Sequence, residues 1–169
     1  MKDEYGQKVH TRPPVLDQAG LIAFLATQPD VVAAYLFGSL AQGRATPHSD
    51  IDIAILLTRV PDLLAGDPDR QLQLMGDLRR FADREVDVVI LNTAPPLLQN
   101  QVLKYGRRLY ERDRRARVDF EVRAGKTYTD LKPMSDFFTK ALFKEIKEVG
   151  LGGRRRHRLR TADVLAEGS

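Results

Sequence analysis

The 169-residue sequence contains no cysteine. This absence excludes disulfide bonds, a thiol nucleophile and a zinc site built from thiolates. The chain also lacks the run of about 18 consecutive apolar residues that a membrane-spanning helix needs, and its charged start at Met1–Glu4 leads into no apolar signal segment. These absences predict a soluble, cytoplasmic protein.

Apolar residues make up 43% of the chain, which is enough for one domain with a hydrophobic core and an appendage. The net charge of +4 comes from an excess of arginine and lysine in the C-terminal third. We expect an α/β unit with a helical extension. The predicted segments are an N-terminal extension over 1–14, a core over 15–112, C-terminal helices over 113–150 and a basic, flexible tail over 151–169.

Helix and strand patterns alternate through the core. A helix is expected over 16–27, and the apolar runs at Val31–Phe37, Ile51–Leu57 and Glu85–Leu91 predict three strands. From Asp69 onward, apolar residues recur at every third position and predict a helix that packs on the sheet. The members of this apolar stripe are Leu72, Met75, Leu78 and Phe81.

The pattern after the third strand is mainly helical. We expect a helix after Pro95–Pro96 and a short strand around Leu109–Tyr110. From Asp113 to about Val149 the pattern is helical again. Gly125 and Pro133 predict breaks in that helix, because glycine and proline are the poorest helix formers.

A turn of small residues, Gly38 and Ser39, follows the first predicted strand, and Asp50 and Asp52 come after ten intervening residues. Glycine lets the backbone approach a phosphate closely, and free N–H groups at a helix start favour an anion. Alternation along the second strand puts both aspartates on one face while its isoleucines face the core. Neighbouring carboxylates hold Mg²⁺ together with substrate phosphates. The arrangement therefore indicates nucleotidyl transfer.

A third carboxylate, Asp87, lies inside the β-branched run at 85–91. A lone charge among apolar neighbours is costly unless it is paired or binds a metal ion. We therefore expect Asp87 to be a third metal ligand. A carboxylate in that place could also orient or deprotonate an attacking hydroxyl group.

Gly-Ser, ten residues and Asp-x-Asp together resemble the signature of the polymerase-β-like nucleotidyltransferase superfamily, and Ala41, Gly43 and Ser49 are similar to its minimal bacterial branch. The likeness covers roughly residues 16–132 and includes three downstream blocks. These blocks are Val86–Asn92, Ala94–Leu98 and Gly106–Asp113. They are similar to the antitoxin partners of HEPN-domain toxins, the MNT/HEPN pairs.

The resemblance implies a polymerase-β-like core over 15–112, an α/β (α+β) fold in which helices flank a small mixed sheet. It also implies a protein adenylyltransferase that acts as an antitoxin by moving AMP from ATP to a tyrosine hydroxyl of a HEPN ribonuclease toxin, with release of pyrophosphate. The expected catalytic and metal-binding residues are Asp50, Asp52 and Asp87, which would hold two Mg²⁺. The expected nucleotide-binding residues are Gly38, Ser39, Gly43, Arg44 and Ser49.

Three other functions remain as alternatives. A small-molecule nucleotidyltransferase, such as an aminoglycoside-modifying enzyme, would differ only in its acceptor pocket, and the blocks at Pro95–Pro96 and Tyr110–Asp113 argue against it. An antitoxin that acts by binding alone has no chemical need for Ser39 and the three aspartates together. A template-directed polymerase needs a template-gripping domain, for which the chain is too short.

Two C-terminal features predict contacts with partners. Five arginines follow the pair Gly152–Gly153, and such a run can bind nucleic acid or an acidic protein surface, or can be a solvated tail. These arginines are Arg154, Arg155, Arg156, Arg158 and Arg160. The amphipathic helix at 134–149 either packs on the domain or offers an apolar surface to the toxin or to a second copy of the chain.

Overall fold

A computed structural model of the chain describes residues 11–60, 62 and 69–149, with side chains of the final helix described up to Met134 and at Asp136. The predicted extension over 1–14 is therefore described only in part. The predicted tail over 151–169, with its five arginines, lies outside the described residues, as do the side chains of 137–149. The chain divides into two units, Met1–Asp130 and Leu131–Ser169.

Helices and strands alternate in the order that the sequence predicts. Within the described ranges they are α1 (Gln18–Ala26), β1 (Val31–Phe37), α2 (Gly38–Ala41), β2 (Ile51–Leu57), α3 (Arg70–Leu78), β3 (Val86–Ile90), α4 (Pro96–Tyr105), β4 (Arg107–Glu111) and α5 (Arg114–Val149). Aspartate side chains cap α1 and α3, because Asp17 and Asp69 each accept a hydrogen bond from a backbone N–H of the first turn. No helix in the described part of the chain is long and apolar enough to cross a membrane.

The four strands form one mixed sheet, as expected, and their order is β3-β2-β1-β4. β1 is antiparallel to β2 and to β4, whereas β2 and β3 are parallel. The end of β1 therefore lies beside the beginnings of the other three strands. We call this edge the motif end of the sheet and define it by Phe37, Asp52, Asp87 and Arg107.

Both faces of the sheet are covered by apolar side chains. On one face, α1 and α3 contribute Leu21, Leu25, Leu74 and Leu78 to a first cluster with Ile51, Ile53 and Ile55 of β2. On the other face, α4 and α5 contribute Val102, Phe120 and Ala124 to a second cluster with Ala54 and Leu56. The alternation of β2 between the two clusters confirms the predicted two-sided strand.

The apolar stripe predicted for α3 is wrong at one position. Leu78 is buried, and Met75 and Phe81 pack against the first cluster as expected. Leu72, however, is 59% exposed, and Leu74 is fully buried instead. A strict three-residue spacing drifts around a helix of 3.6 residues per turn, so residues 74 and 78, four apart, share the buried side.

Helix α5 continues through both positions at which a break was expected, so that prediction is wrong. The position of Gly125 has open space around it, since nothing lies within 4 Å of where its Cβ would be. Pro133 lies inside the helix, and an ion pair between Lys132 and Asp136, 2.6 Å apart, connects the turns on either side of it.

A buried arginine attaches the first turns of α5 to the sheet. Arg117 is only 8% exposed. Its guanidinium contacts Glu111 at the end of β4 and lies 2.6 Å from the carboxylate of Glu121, which also accepts a hydrogen bond from Tyr35 at 3.0 Å. The hydrogen bond with Glu121 raises the pKa of Arg117. The pKa of Tyr35 is also raised, first by burial and then by Glu121.

Replacing this arginine should destabilise the protein. Arg117→Met leaves Glu121 without a cation and Glu111 with only Arg108, 3.4 Å away. We therefore expect the free energy of unfolding to fall by about 1–3 kcal/mol, below the fully buried case because both glutamates are partly exposed. Arg123→Met, at an exposed position of the same helix, is the matched control. Urea unfolding measures both, and equal stability of the two variants would contradict the structural role of Arg117.

Candidate active site

The turn at Gly38–Ser39 lies where the sequence predicts it. β1 ends at Phe37, and the short helix α2 begins at Gly38, whose φ of +71° is one that residues with a side chain rarely adopt. The backbone N–H of Arg44 donates to the carbonyl oxygen of Ser39 at 2.9 Å and closes the loop after α2. The Ser39 hydroxyl makes no hydrogen bond within the part of the chain that the structure describes.

The three predicted aspartates come together at the motif end of the sheet. Asp52 is the register partner of Phe37 on one side and of Asp87 on the other. Asp50 lies one residue before β2. Side chains of register partners project from the same face of a sheet. Asp52 and Asp87 are thus neighbours on the face opposite the isoleucines of β2, as predicted.

Glycine at position 38 makes room for the carboxylate of Asp52. A Cβ atom built on Gly38 would lie 2.1 Å from Oδ2 of Asp52, a distance that real atoms do not adopt. Gly43 also has a positive φ, +67°, but nothing lies within 4 Å of where its Cβ would be. The two glycines therefore serve different needs: Gly43 permits a turn, whereas Gly38 permits both a turn and the contact with Asp52.

The three carboxylates of the site have no cationic partner among the described residues. Within residues 11–60, 62 and 69–136, no hydrogen bond or ion pair involves the side chain of Asp50, Asp52 or Asp87. By contrast, Asp30 accepts two hydrogen bonds of 2.8 Å from Arg70, which lower the pKa of Asp30. Asp50, Asp52 and Asp87 thus make no ion pair with any described side chain.

Burial and mutual repulsion both act on Asp52. Its pKa is raised, first by burial and then by the charges of Asp87 and Asp50. No group of three or more His, Asp or Glu side chains among the described residues is arranged as a metal site. The donor chemistry nevertheless fits a hard divalent cation, because oxygen ligands with uncompensated charge are what Mg²⁺ binds in proteins.

One reason for selecting Asp87 was wrong. Its apolar neighbours in the sequence predicted that Asp87 is buried. The side chain is exposed, because alternation along β3 buries Val86, Val88 and Ile90 instead. Burial therefore imposes no cost on Asp87. Asp87 remains a candidate metal ligand because the register of β2 and β3 places it beside Asp52.

Two predicted nucleotide-binding residues have partners within their own loop. The backbone N–H of Thr46 donates to Oγ of Ser49 at 2.9 Å, and the N–H of Ser49 donates to the carbonyl oxygen of Thr46 at 3.1 Å. Arg44 hydrogen-bonds to the side chain of Gln42. The sequence reasoning missed Thr46, although a Thr-x-x-Ser turn directly before Asp50 is a recognisable loop signal.

The raised pKa of Asp52 makes a prediction about stability and pH. The folded protein holds the Asp52 proton more tightly than the unfolded chain does, so this contribution to stability is present at acidic pH and is lost as the pH rises through the raised pKa. We expect Asp52→Asn to melt at a higher temperature than the unmodified protein near neutral pH without divalent cations. The difference should vanish in acid. Asp119→Asn, at an exposed position, should show no such pattern, and a less stable Asp52→Asn at neutral pH would contradict it.

Comparison with known proteins identifies the family of this chain. Residues 20–115 match the family described as polymerase beta, nucleotidyltransferase. The chain is 37% identical over 82 residues to the protein adenylyltransferase MntA of Shewanella oneidensis, an alignment that covers 48% of this chain and 55% of that protein. It therefore spans about half the length of this curated relative.

Solved structures of toxin–antitoxin complexes contain similar chains. One, a toxin–antitoxin with AMP-PNP, has a chain that is 29% identical with a TM-score of 0.64, over 76% of this chain and 99% of that one. Another contains a tri-AMPylated HEPN toxin of Shewanella oneidensis in complex with MNT antitoxin, and its matching chain is 26% identical with a TM-score of 0.59, over 75% of this chain and 96% of that one. Since the matching family covers more than half of the residues, this chain belongs to the polymerase-β nucleotidyltransferase family.

Proposed function

We propose that this protein is the antitoxin of a HEPN/MNT pair and transfers AMP from ATP to a tyrosine hydroxyl of its HEPN toxin, releasing pyrophosphate. The observation that carries the proposal is the motif end of the sheet, where Gly38 and Ser39 lie beside the unpaired Asp52 and its neighbours. The similarity to MntA and to chains of toxin–antitoxin complexes supports the same reaction and partner. An ATP-dependent reaction on such a toxin places the protein in the cytoplasm.

The turn after β1 binds the triphosphate of ATP. Gly38 lets the backbone approach the phosphates, and the Ser39 hydroxyl, which has no partner within the described residues, donates a hydrogen bond to them. Gly43 and Arg44 lie in the loop that follows α2, and Arg44 can exchange its contact with Gln42 for a phosphate oxygen. Ser49 holds the loop that leads into Asp50.

The aspartates form the other half of the site. Asp50, Asp52 and Asp87 would hold Mg²⁺, which when bound neutralises charge on the phosphate oxygens during transfer. The toxin hydroxyl oxygen forms a bond to the α-phosphorus, the bond from that phosphorus to the bridging oxygen breaks, and pyrophosphate leaves with the bond's electron pair. Asp87, exposed on the outer strand β3, orients the hydroxyl and accepts its proton.

The intact mass of toxin purified from cells that also produce the antitoxin tests this function. We expect the toxin from cells that also produce the unmodified antitoxin to carry added AMP, detected by intact mass. Toxin from cells with the Asp87→Asn antitoxin should lack it, although both proteins still purify together. Glu85→Gln is the matched control, since Glu85 is an exposed carboxylate just before β3 that pairs with Arg79.

The outcome separates catalysis from binding alone. Growth protection by Asp87→Asn with an unmodified toxin would favour an antitoxin that only covers its partner. Transfer of AMP to a small hydroxyl compound, with none to the toxin, would favour a small-molecule nucleotidyltransferase. Either result would contradict the proposed function.

A further inference from the structure

Helix α5 runs along the sheet toward the motif end. It starts just beyond Glu111, which lies next to Ala33 near the far end of β1. Arg117 contacts Glu111, and one turn later Glu121 accepts the hydrogen bond from Tyr35, two residues closer to the motif end along β1. In its first turns α5 therefore runs parallel to β1, toward the C-terminal end of that strand.

Tyr128 follows Glu121 by two helical turns and lies on the same side of α5. Seven helical residues advance about 10 Å. Along β1, Phe37 is about 7 Å beyond Tyr35. A helix that continues parallel to β1 thus brings Tyr128 to the level at which β1 ends and Gly38 begins α2.

Burial supports this placement. Phe120 and Ala124, on the side of α5 that faces the sheet, belong to the second apolar cluster. Beyond them, Tyr128 is the one residue of 125–134 that is not exposed. Within the described part of the chain, no hydrogen bond, ion pair or ring contact involves its side chain. Tyr128 is thus a partly buried aromatic residue whose side chain has no hydrogen bond, ion pair or ring contact within the described residues.

We propose that the adenine base of ATP stacks on Tyr128. Aromatic side chains bind bases through their π faces, and α5 follows β1, the strand that leads into the turn at Gly38–Ser39. Asp87, which receives the acceptor hydroxyl, lies on the edge strand β3, and β2 separates β3 from β1. The position of Tyr128 along β1 therefore favours contact with the nucleotide rather than with the acceptor. The inference depends on the proposed function for the location of the triphosphate.

Comparing ATP with inorganic tripolyphosphate isolates the contribution of the base. We expect Tyr128→Leu to weaken ATP binding about 10-fold in titration calorimetry, because stacking on an aromatic ring is lost. Tyr128→Phe should retain the affinity, since it keeps the ring. Binding of tripolyphosphate, which has no base, should be the same in all three proteins.

A fluorescence measurement gives a second, independent readout. The chain contains no tryptophan, so Tyr128→Trp introduces a single indole reporter. We expect ATP to quench its emission and tripolyphosphate to leave the emission unchanged. Tyr110→Trp is the matched control, because Tyr110 packs against the first apolar cluster, on the other face of the sheet.

The outcomes distinguish the inference from the proposed function. Unchanged ATP affinity in Tyr128→Leu, or an equal loss of ATP and tripolyphosphate affinity, would overturn the stacking role while leaving the proposed transfer reaction in place. Absence of ATP binding to the unmodified protein would overturn the proposed function and this inference with it. Thermal unfolding of each variant verifies that it is folded before binding is measured.

Discussion

Asp52→Asn and Asp50→Asn should each slow AMP transfer by a factor on the order of 10² or more. Both substitutions keep the shape of the side chain but remove a negative charge that forms no ion pair with a described side chain. In the proposed reaction these charges hold Mg²⁺ against the phosphates, and losing one such electrostatic contact costs several kcal/mol of transition-state stabilisation. Transfer from α-labelled ATP to the toxin, measured over a range of Mg²⁺ concentrations, gives the rate.

The same experiment separates a chemical role from a structural one. Because Asp52 is destabilising while charged, Asp52→Asn should remain folded even as activity is lost. Asp119→Asn, exposed on α5, should transfer AMP at the unmodified rate. Rates near normal for both Asp50→Asn and Asp52→Asn would show that the motif end is not the catalytic site.

Gly38→Ala should also reduce transfer by a factor on the order of 10² or more, although it adds only a methyl group. The new Cβ would occupy the position next to Oδ2 of Asp52, so either the turn or the carboxylate must move. A displacement of about 1 Å in a catalytic group is enough for such a loss. The positive φ adds a strain of about 1–2 kcal/mol, which should appear as a lower melting temperature.

Two other glycines provide the comparison. Gly43→Ala experiences the strain of a positive φ without a collision, so it should lose stability but retain more activity than Gly38→Ala. Gly76→Ala lies inside α3 with open space around its Cβ and should be stabilised by about 0.5–1 kcal/mol. If Gly38→Ala were as active as Gly43→Ala, the contact with Asp52 would not matter for the reaction.

Local patterns in the sequence were sufficient for the elements and for part of the site. Alternation of isoleucines in β2 predicted that they face the core and that Asp52 lies on the other face, because a strand repeats every two residues whatever it packs against. The turn at Gly38–Ser39 was also predicted locally, because the apolar run of β1 ends at Phe37 and small residues follow it. The family followed from the spacing between that turn and Asp-x-Asp, which the match over 20–115 confirms.

The tertiary structure decided what depends on neighbours distant in the chain. Asp87 lies beside Asp52 because β2 and β3 pair in parallel, and the alternation of β3 leaves it exposed. Leu74 rather than Leu72 is buried because the sheet covers one side of α3. The sequence shows Gly38 as a turn residue, but only the folded chain places the carboxylate of Asp52 where its Cβ would be. The local sequence determines the periodicity of a helix or strand. The register between strands, the burial of side chains and the close approach of distant residues arise only when separate segments pack together.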